Sequence, residues 1–351
     1  MNNKISFCTV CMNRLHHLKQ TLPQNILDNS SNSNIEFIVL DYSSSDGLSD
    51  WIKYEMAEYI DNGLLVYYRY EEAKYFDRSH SRNMMFKLST GDIICNVDAD
   101  NYLGLNFSDY VNKTFDSNNN IFLIPDTKKR FYYIRDVLGR ICIWKKDFIS
   151  ISGYDEKMRG YGFEDEDLYQ RMEEIGKKES VIKDFNFLKA IRHSNDDRVS
   201  NEFFSKNFRS LYISYLSPFK SETIIFFNDG TFYKGSISPN LTNSPSPLIL
   251  ESIRWETGNW KEEHIKLSLN YKDFTDTINL EQDKNIFLYK ESVFYKIYDP
   301  AFLNRILYEL PLVTNYGEFL YNKQQRKKIN VKGFGKGIVF KNFIPNEIEI
   351  Y

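Results

Sequence analysis

At 351 residues the chain is long enough for two domains and a substantial core. A net charge of −3 argues against nucleic acid as the main partner. No apolar run approaches the roughly 18 residues of a membrane span, and Met1-Asn2-Asn3-Lys4 leads straight into an apolar strand without a cleavage pattern. A cytoplasmic chain is therefore expected. Cys8, Cys11, Cys95 and Cys142 fit a reducing compartment. The Cys8-Thr9-Val10-Cys11 spacing has no second pair to complete a zinc site, and on a strand the two thiols would point to opposite faces. All four read as core residues.

Ile5 to Val10 reads as a buried strand, followed by the polar turn Met12-Asn13-Arg14 and a helix marked by Leu15, Leu18, Leu22 and Ile26. A second strand, Ile35 to Leu40, ends in Asp41-Tyr42-Ser43-Ser44-Ser45-Asp46-Gly47, and Trp51, Ile52, Met56 and Ile60 continue as a helix. Leu64 to Tyr70 predicts a third strand, Arg78 to Leu88 a third helix, and Ile93 to Val97 a fourth strand. Such alternation implies an α/β fold: a mainly parallel sheet with helices on both faces.

Ligands in open α/β sheets bind beyond the carboxyl ends of strands. Asp98-Ala99-Asp100-Asn101 leaves the fourth strand at such a place, and its paired hard oxygens suit Mg²⁺ or Mn²⁺ shared with a phosphate. An acidic turn would read the same way. An EF-hand would not, because Leu103 stands where that loop needs glycine. Asp41 repeats the arrangement and is expected to serve a ligand, whereas Asp46 is expected to cap the helix that follows.

A second acidic cluster runs from Gly153 to Leu168. Leu168, Met172 and Ile175 mark a buried stripe; at about 100° per residue Glu164 and Asp165 border it, and Glu166 and Asp167 point away. Acids in a first helical turn complement the macrodipole. That accounts for Glu166 and Asp167 better than for two carboxylates beside an inward face. His193, after an interrupted strand from Val181 to Ile191, could complete a metal site or serve structure alone. His16, His17, His80 and His264 lack comparable company.

Near Ser217-Pro218-Phe219 the pattern changes. Ile224 to Tyr233 carries a hairpin signal around Asn228-Asp229-Gly230, and Ile265 to Leu269, Asp276 to Leu280 and Ile286 to Tyr289 are short strands. Asn243 to Pro247 is a loop, Pro300 onward is helical, and Arg326-Lys327-Lys328 opens a basic, glycine-broken segment. That segment reads as solvated surface or a site of peripheral contact with anionic lipid. The expected division is residues 1–216 as an α/β domain and 217–351 as a smaller antiparallel β module with a helical end.

In this order the pieces over residues 4–216 resemble the family 2 inverting glycosyltransferases of GT-A fold. Asp41 to Asp46 is similar to their Asp-Asp-Gly-Ser-Thr-Asp, with Tyr42 and Ser43 departing from it. Ser81-Arg82-Asn83 resembles their Ala-Arg-Asn, and Asp98-Ala99-Asp100 their Asp-x-Asp. Gly153 to Arg171 resembles the Gly-Trp-Gly-x-Glu-Asp-x-Asp-Leu-x-x-Arg segment of galactosyltransferases and chondroitin-polymerase-type enzymes, with Tyr161 in place of tryptophan. The resemblance implies inverting transfer of a sugar from a nucleotide donor, such as a UDP-sugar, to a saccharide or lipid-linked saccharide in surface polysaccharide synthesis. It implies a Mn²⁺ or Mg²⁺ ion on Asp100 and Asp98 with His193, and donor binding by Asp41, Arg82, Asp98 and the Asn13 turn. Asp165 would be the base, with Glu164 on sugar hydroxyls. Two rivals are nucleotidyl transfer, which wants a glycine-rich loop after the first strand, and non-catalytic glycan binding, which would release no UDP from UDP-sugars.

Overall fold

The computed structural model describes residues 3–126, 136–217, 220–238, 255–264, 266–280, 284–325 and 328–351. Parts of the sequence reading lie outside these residues: the loop at 243–247, Pro218-Phe219, Ile265, and Arg326-Lys327. The chain divides into two compact units. One comprises Met1–Lys157, Glu164–Ser194 and Lys327–Tyr351; the other comprises Met158–Phe163 and Asn195–Arg326.

The first unit opens as expected: β1 (Ile5–Cys11), α1 (Leu15–Asn29), β2 (Ile35–Tyr42), α2 (Leu48–Glu55), α3 (Ala57–Asp61), β3 (Leu65–Tyr70), α4 (Arg78–Leu88) and β4 (Ile93–Asn96). It continues through β5 (Asn101–Tyr102), α5 (Phe107–Ser117), β6 (Ile121–Pro125), β7 (Cys142–Trp144), α6 (Lys145–Ser150), α7 (Glu164–Glu174), β8 (Lys178–Ile182) and β9 (Lys189–Ala190). At the C-terminus stand β18 (Gly337–Lys341) and β19 (Ile344–Ile350). The sheet order is β19-β18-β3-β2-β1-β4-β7-β6-β8. The run β3-β2-β1-β4 is parallel, while β7 and the β18–β19 pair are antiparallel to their neighbours.

Strand alternation sorts the core onto two faces. Phe7, Phe37, Val39 and Cys95 pack with α1, α2 and α5, whereas Cys8, Ile38, Leu40 and Ile94 pack with α4, α6 and α7. Cys8 and Cys11 fall on opposite faces, and all four cysteines are buried and free. The α/β class with helices on both faces is thus present.

Several boundaries differ from the sequence reading. The helix expected through Met56 breaks there into α2 and α3. Asp46 caps α1, not the following helix: its carboxylate accepts the Leu15 amide at 2.8 Å, and α2 starts after Gly47 without a side-chain cap. Asp167, placed outward by helical phase, is buried, because Arg171 one turn on supplies a counter-ion at 2.7 Å. The strand expected from Val181 to Ile191 ends at Ile182 and gives way to a 3₁₀ turn at Phe185–Phe187 before β9. Finally, residues 337–350 extend the first sheet: Val339, Phe340 and Lys341 pair with Tyr70, Arg69 and Tyr68 of β3. A division at 216/217 assigns this hairpin to the C-terminal module, since nothing local records a sheet edge more than 260 residues upstream.

The second unit contains the short helices α8 (Asn195–Val199) and α9 (Phe203–Asn207) and the long α10 (Pro300–Gln325). Its β module is a closed barrel of β10 (Phe208–Ser217), β11 (Lys220–Phe227), β12 (Thr231–Ile237), β13 (Glu256–Glu263), β14 (Lys266–Asn270), β15 (Thr275–Leu280), β16 (Ile286–Tyr289) and β17 (Ser292–Lys296). Each strand is antiparallel to the next, and Tyr212 and Ile213 opposite Lys296 and Tyr295 close the ring. Alternate residues such as Ile224 and Phe226, Leu267 and Leu269, Phe287 and Tyr289 fill it. Residues 158–163 belong to this unit, with Tyr161 stacked on Tyr308 and Phe163 packed at a tilt against Tyr316 of α10. Among the described residues no helix is long and apolar enough to cross a membrane.

Candidate functional site

Asp98, Ala99 and Asp100 form the turn between β4 and β5. The turn is closed by the Asn101 amide on the Asp98 carbonyl at 2.9 Å. Two asparagines fix the carboxylates. Asn96 Nδ2 donates to Asp98 Oδ1 at 3.0 Å and to the Gly139 carbonyl at 2.9 Å. Asn101 Nδ2 donates to Asp100 Oδ1 at 3.0 Å and to the Asp136 carbonyl at 2.9 Å. Behind them Arg140 is fully buried and donates to Asn101 Oδ1 at 3.2 Å and to the carbonyls of Tyr102 and Phe187. Burial lowers its pKa to about 10, so it still carries charge at neutral pH.

The two aspartates serve different partners. Asp98 turns to Arg82, whose Nη2 lies 3.3 Å from its Oδ1. Asp100 turns to His193, with Oδ2 2.9 Å from Nε2. That second meeting depends on β5 pairing with β9, Asn101 opposite Ala190, and on the Ile191 amide binding the Asp100 carbonyl at 2.8 Å.

Arg82 is buried on α4 and also donates from Nη1 to Asp165 Oδ1 at 3.0 Å, with Glu164 3.7 Å away. Tyr154 donates its hydroxyl to the same Asp165 oxygen at 3.2 Å, and Arg78, one turn before Arg82, lies 3.6 Å from Glu164. Gly139 lies over this group; a Cβ there would sit 2.8 Å from Arg82 Nη2 and 3.0 Å from Asp98 Oδ2. A larger residue would push apart the contact on which the cluster turns.

Electrostatics separate the carboxylates. Burial raises the Asp165 pKa to about 6 against the pull of Arg82, with Glu164 and Asp98 adding to the rise. Burial likewise raises Glu164, opposed by Arg78 and Arg82. At Asp98 desolvation is outweighed by Arg82 and Arg78, which hold it below the ordinary range. Arg82 is held well above its usual value: burial opposes its charge, and Asp165, Tyr154, Asp98 and Glu164 favour it. One carboxylate fixed as the anion beside another poised near neutrality is an arrangement suited to proton transfer.

Asp41 is fully buried. It accepts the Ser44 amide at 2.7 Å, the Tyr67 hydroxyl at 2.7 Å and Arg69 Nη1 at 2.6 Å. Asn13, at φ 56°, accepts the Ser45 amide at 2.8 Å, and its own amide donates to Ser44 Oγ at 3.1 Å. These bonds pin the β1–α1 and β2–α2 loops together. Arg78, Gly139 and Arg140 have no motif to mark them, and Tyr154 lies within the Gly153–Arg171 segment without standing at one of its motif positions. The four-residue spacing of Arg78 and Arg82 is the one local signal available.

Among the described residues no set of three or more His, Cys, Asp or Glu side chains is placed to hold a metal ion. Asp100 and His193 offer one oxygen and one nitrogen donor, a pair that fits Mn²⁺ or Mg²⁺ if substrate oxygens and water supply the rest.

Residues 110–194 match the family model described as N-terminal domain of galactosyltransferase. The matched stretch holds Glu164, Asp165 and His193; Asp41, Arg82, Asp98 and Asp100 precede it. No curated protein matches the chain. Similar solved structures include a mannosyltransferase from Pyrobaculum calidifontis in complex with GDP-Man and Mn²⁺, at 16% identity and TM-score 0.44, covering 52% of this chain and 56% of that one. TarS 1–349 of S. aureus follows at 15% identity and TM-score 0.43, covering 52% and 58%. The catalytic domain of Drosophila β1,4-galactosyltransferase 7 with xylobiose has 16% identity and TM-score 0.38, covering 56% and 73%. The chain spans little more than half the length of the first two. At such identity and TM-score these likenesses say nothing of this chain's substrate.

Proposed function

We propose that the chain is a metal-dependent, inverting glycosyltransferase of GT-A type that moves a sugar from a nucleotide donor, a UDP-sugar for preference, to a saccharide hydroxyl. The observation that carries this reading is the Arg82 bridge, which sets Asp165, its pKa raised by burial to about 6, beside Asp98, held below the ordinary range by Arg82 and Arg78. Asp165 takes the acceptor proton as the hydroxyl oxygen bonds to the anomeric carbon. The bond from that carbon to the diphosphate breaks, and its electrons leave with the nucleoside diphosphate. Glu164 holds donor or acceptor hydroxyls, and Asp98 orients the ribose. Asp41 and Asn13 act on the nucleoside through the loops they pin. Asp100 and His193 would hold Mn²⁺ or Mg²⁺, which offsets charge on the leaving diphosphate.

Family 2 membership, a saccharide or lipid-linked acceptor in surface polysaccharide synthesis, and action in the cytoplasm at the inner membrane face complete the reading. The barrel with α10 serves acceptor binding or assembly. A chain ended near Ser217 cannot test this division, because it would also remove β18 and β19 from the first sheet.

Incubation with a panel of nucleotide sugars, with and without Mn²⁺, tests the activity through release of the nucleotide. No release from any donor, with or without acceptor saccharides, would return the chain to glycan binding. Asp100→Ala should weaken UDP binding at least tenfold in Mn²⁺ and leave binding in chelator unchanged, because the loss is confined to a charged ligand. Equal affinities in Mn²⁺ would remove Asp100 from the site. His193→Ala should lower apparent Mn²⁺ affinity by about 10–100-fold if the imidazole is a ligand; unchanged affinity would leave it a structural partner of Asp100.

A further inference from the structure

His17 lies in the first turn of α1 and stands apart in the sequence. In the folded chain it joins a row of imidazoles: ring centroids are 4.0 Å apart between His16 and His17, and 5.6 Å between His17 and His193. The row ends on Asp100, 2.9 Å from His193 Nε2. His17 is only 6% exposed, yet among the described residues nothing hydrogen-bonds to its ring. Its ring nitrogens are nevertheless not among the buried side-chain atoms sealed without a partner, so they keep access to a small molecule.

The helix holds this ring in place. His17, Thr21 and Asn25 share one face at four-residue spacing. Thr21 Oγ1 donates to the Ala99 carbonyl at 2.7 Å, Asn25 Nδ2 donates to the Asn101 carbonyl at 2.9 Å, and Asn25 Oδ1 accepts the Leu103 amide at 2.7 Å. The face bearing His17 is thus stitched to the turn that carries Asp98 and Asp100. Among the described residues this firmly held imidazole has no hydrogen-bond partner, which leaves its ring nitrogens to water or to a ligand. Two features favour an anion: the N-terminal end of a 15-residue helix, and a position beyond the carboxyl ends of β1 and β4, where ligands of open α/β sheets bind.

We propose that His17 is a donor-site residue whose imidazole N–H binds an oxygen of the nucleotide's diphosphate, next to Asp100 and His193. The inference rests on the glycosyltransferase reading and adds a contact to it. The experiment is calorimetric titration of the full chain with UDP, and separately GDP, in Mn²⁺. It compares wild type with His17→Phe, which keeps a ring in the row, and His17→Gln, which keeps an N–H donor. Melting temperature and Mn²⁺ affinity without nucleotide are measured alongside. Expected is a loss of about five- to tenfold in nucleotide affinity for His17→Phe, at least half recovered in His17→Gln, with melting temperature and Mn²⁺ affinity unchanged. His17→Leu replaces the Phe variant should that ring not fit. Nucleotide affinity equal to wild type in the donor-less variants would overturn the inference alone. A fall in Mn²⁺ affinity without nucleotide would overturn it by making His17 a metal ligand. A wild-type chain that binds neither nucleotide would overturn the parent reading with it.

Discussion

Asp165→Asn should lower the rate of sugar transfer by two to four decades, the range expected for loss of a general base. The asparagine keeps the shape of the side chain and can still accept from Arg82 and Tyr154, which lie 3.0 and 3.2 Å from Asp165 Oδ1. Nucleotide and Mn²⁺ binding should therefore survive, and the loss should fall on kcat. Glu166→Gln, exposed on the same turn, should change the rate less than twofold. The pH profile gives a second check. The base works as the anion, so the wild-type rate should climb as pH rises through about 6 and level off above it. Equal rate losses in the two variants, or a profile flat between pH 5 and 7, would move the base elsewhere, first to Glu164.

Arg82→Met should be among the most destabilising single changes in the first unit, at about 3–5 kcal/mol, because it strands buried carboxylates without their counter-ion. Arg82 is 3% exposed and meets Asp98, Asp165 and Glu164 within 3.7 Å, and Glu164 is as buried as the guanidinium itself. The sign with pH follows from protonation. Without Arg82 the folded-state pKa values of these acids rise, and the folded chain binds protons that the unfolded chain has released. The penalty should be full at pH 7.5 and shrink as the acids protonate toward about pH 4. Urea unfolding of variant and wild type at pH 7.5 and 5 measures both. Arg82→Lys should recover only part of the loss, since a single ammonium cannot span both carboxylates as the guanidinium fork does. A loss under 1 kcal/mol at pH 7.5 would mean that the cluster is solvated or already protonated.

The α/β pattern and the acidic strand exits were legible because each depends on residues close in the chain. Alternation of Phe7 and Cys8, or of Phe37 and Ile38, writes both faces of a sheet into a few residues, and the fold follows from burying them. Asp165 and Glu164 could be marked as bordering the inward face from helical phase, and both lie in the cluster. The same phase misplaced Asp167, because an ion pair with Arg171 lets a carboxylate be buried where periodicity expects water.

Long-range pairing supplied the rest. β13 reads as polar and keeps only Trp260 buried, so its strand state is set by its neighbours in the barrel. The β18–β19 hairpin joins β3 through hydrogen bonds that leave no local pattern. The site is divided in the same way. Sequence alone determined which residue types stand at the strand exits, where paired acids can serve a cation or a base. Tertiary structure decided which partner each acid meets: β5–β9 pairing turned Asp100 toward His193, and α4 set Arg82 between Asp98 and Asp165. A carboxylate's chemistry depends on the charges within a few ångströms of it, and those charges come from parts of the chain that only folding brings together.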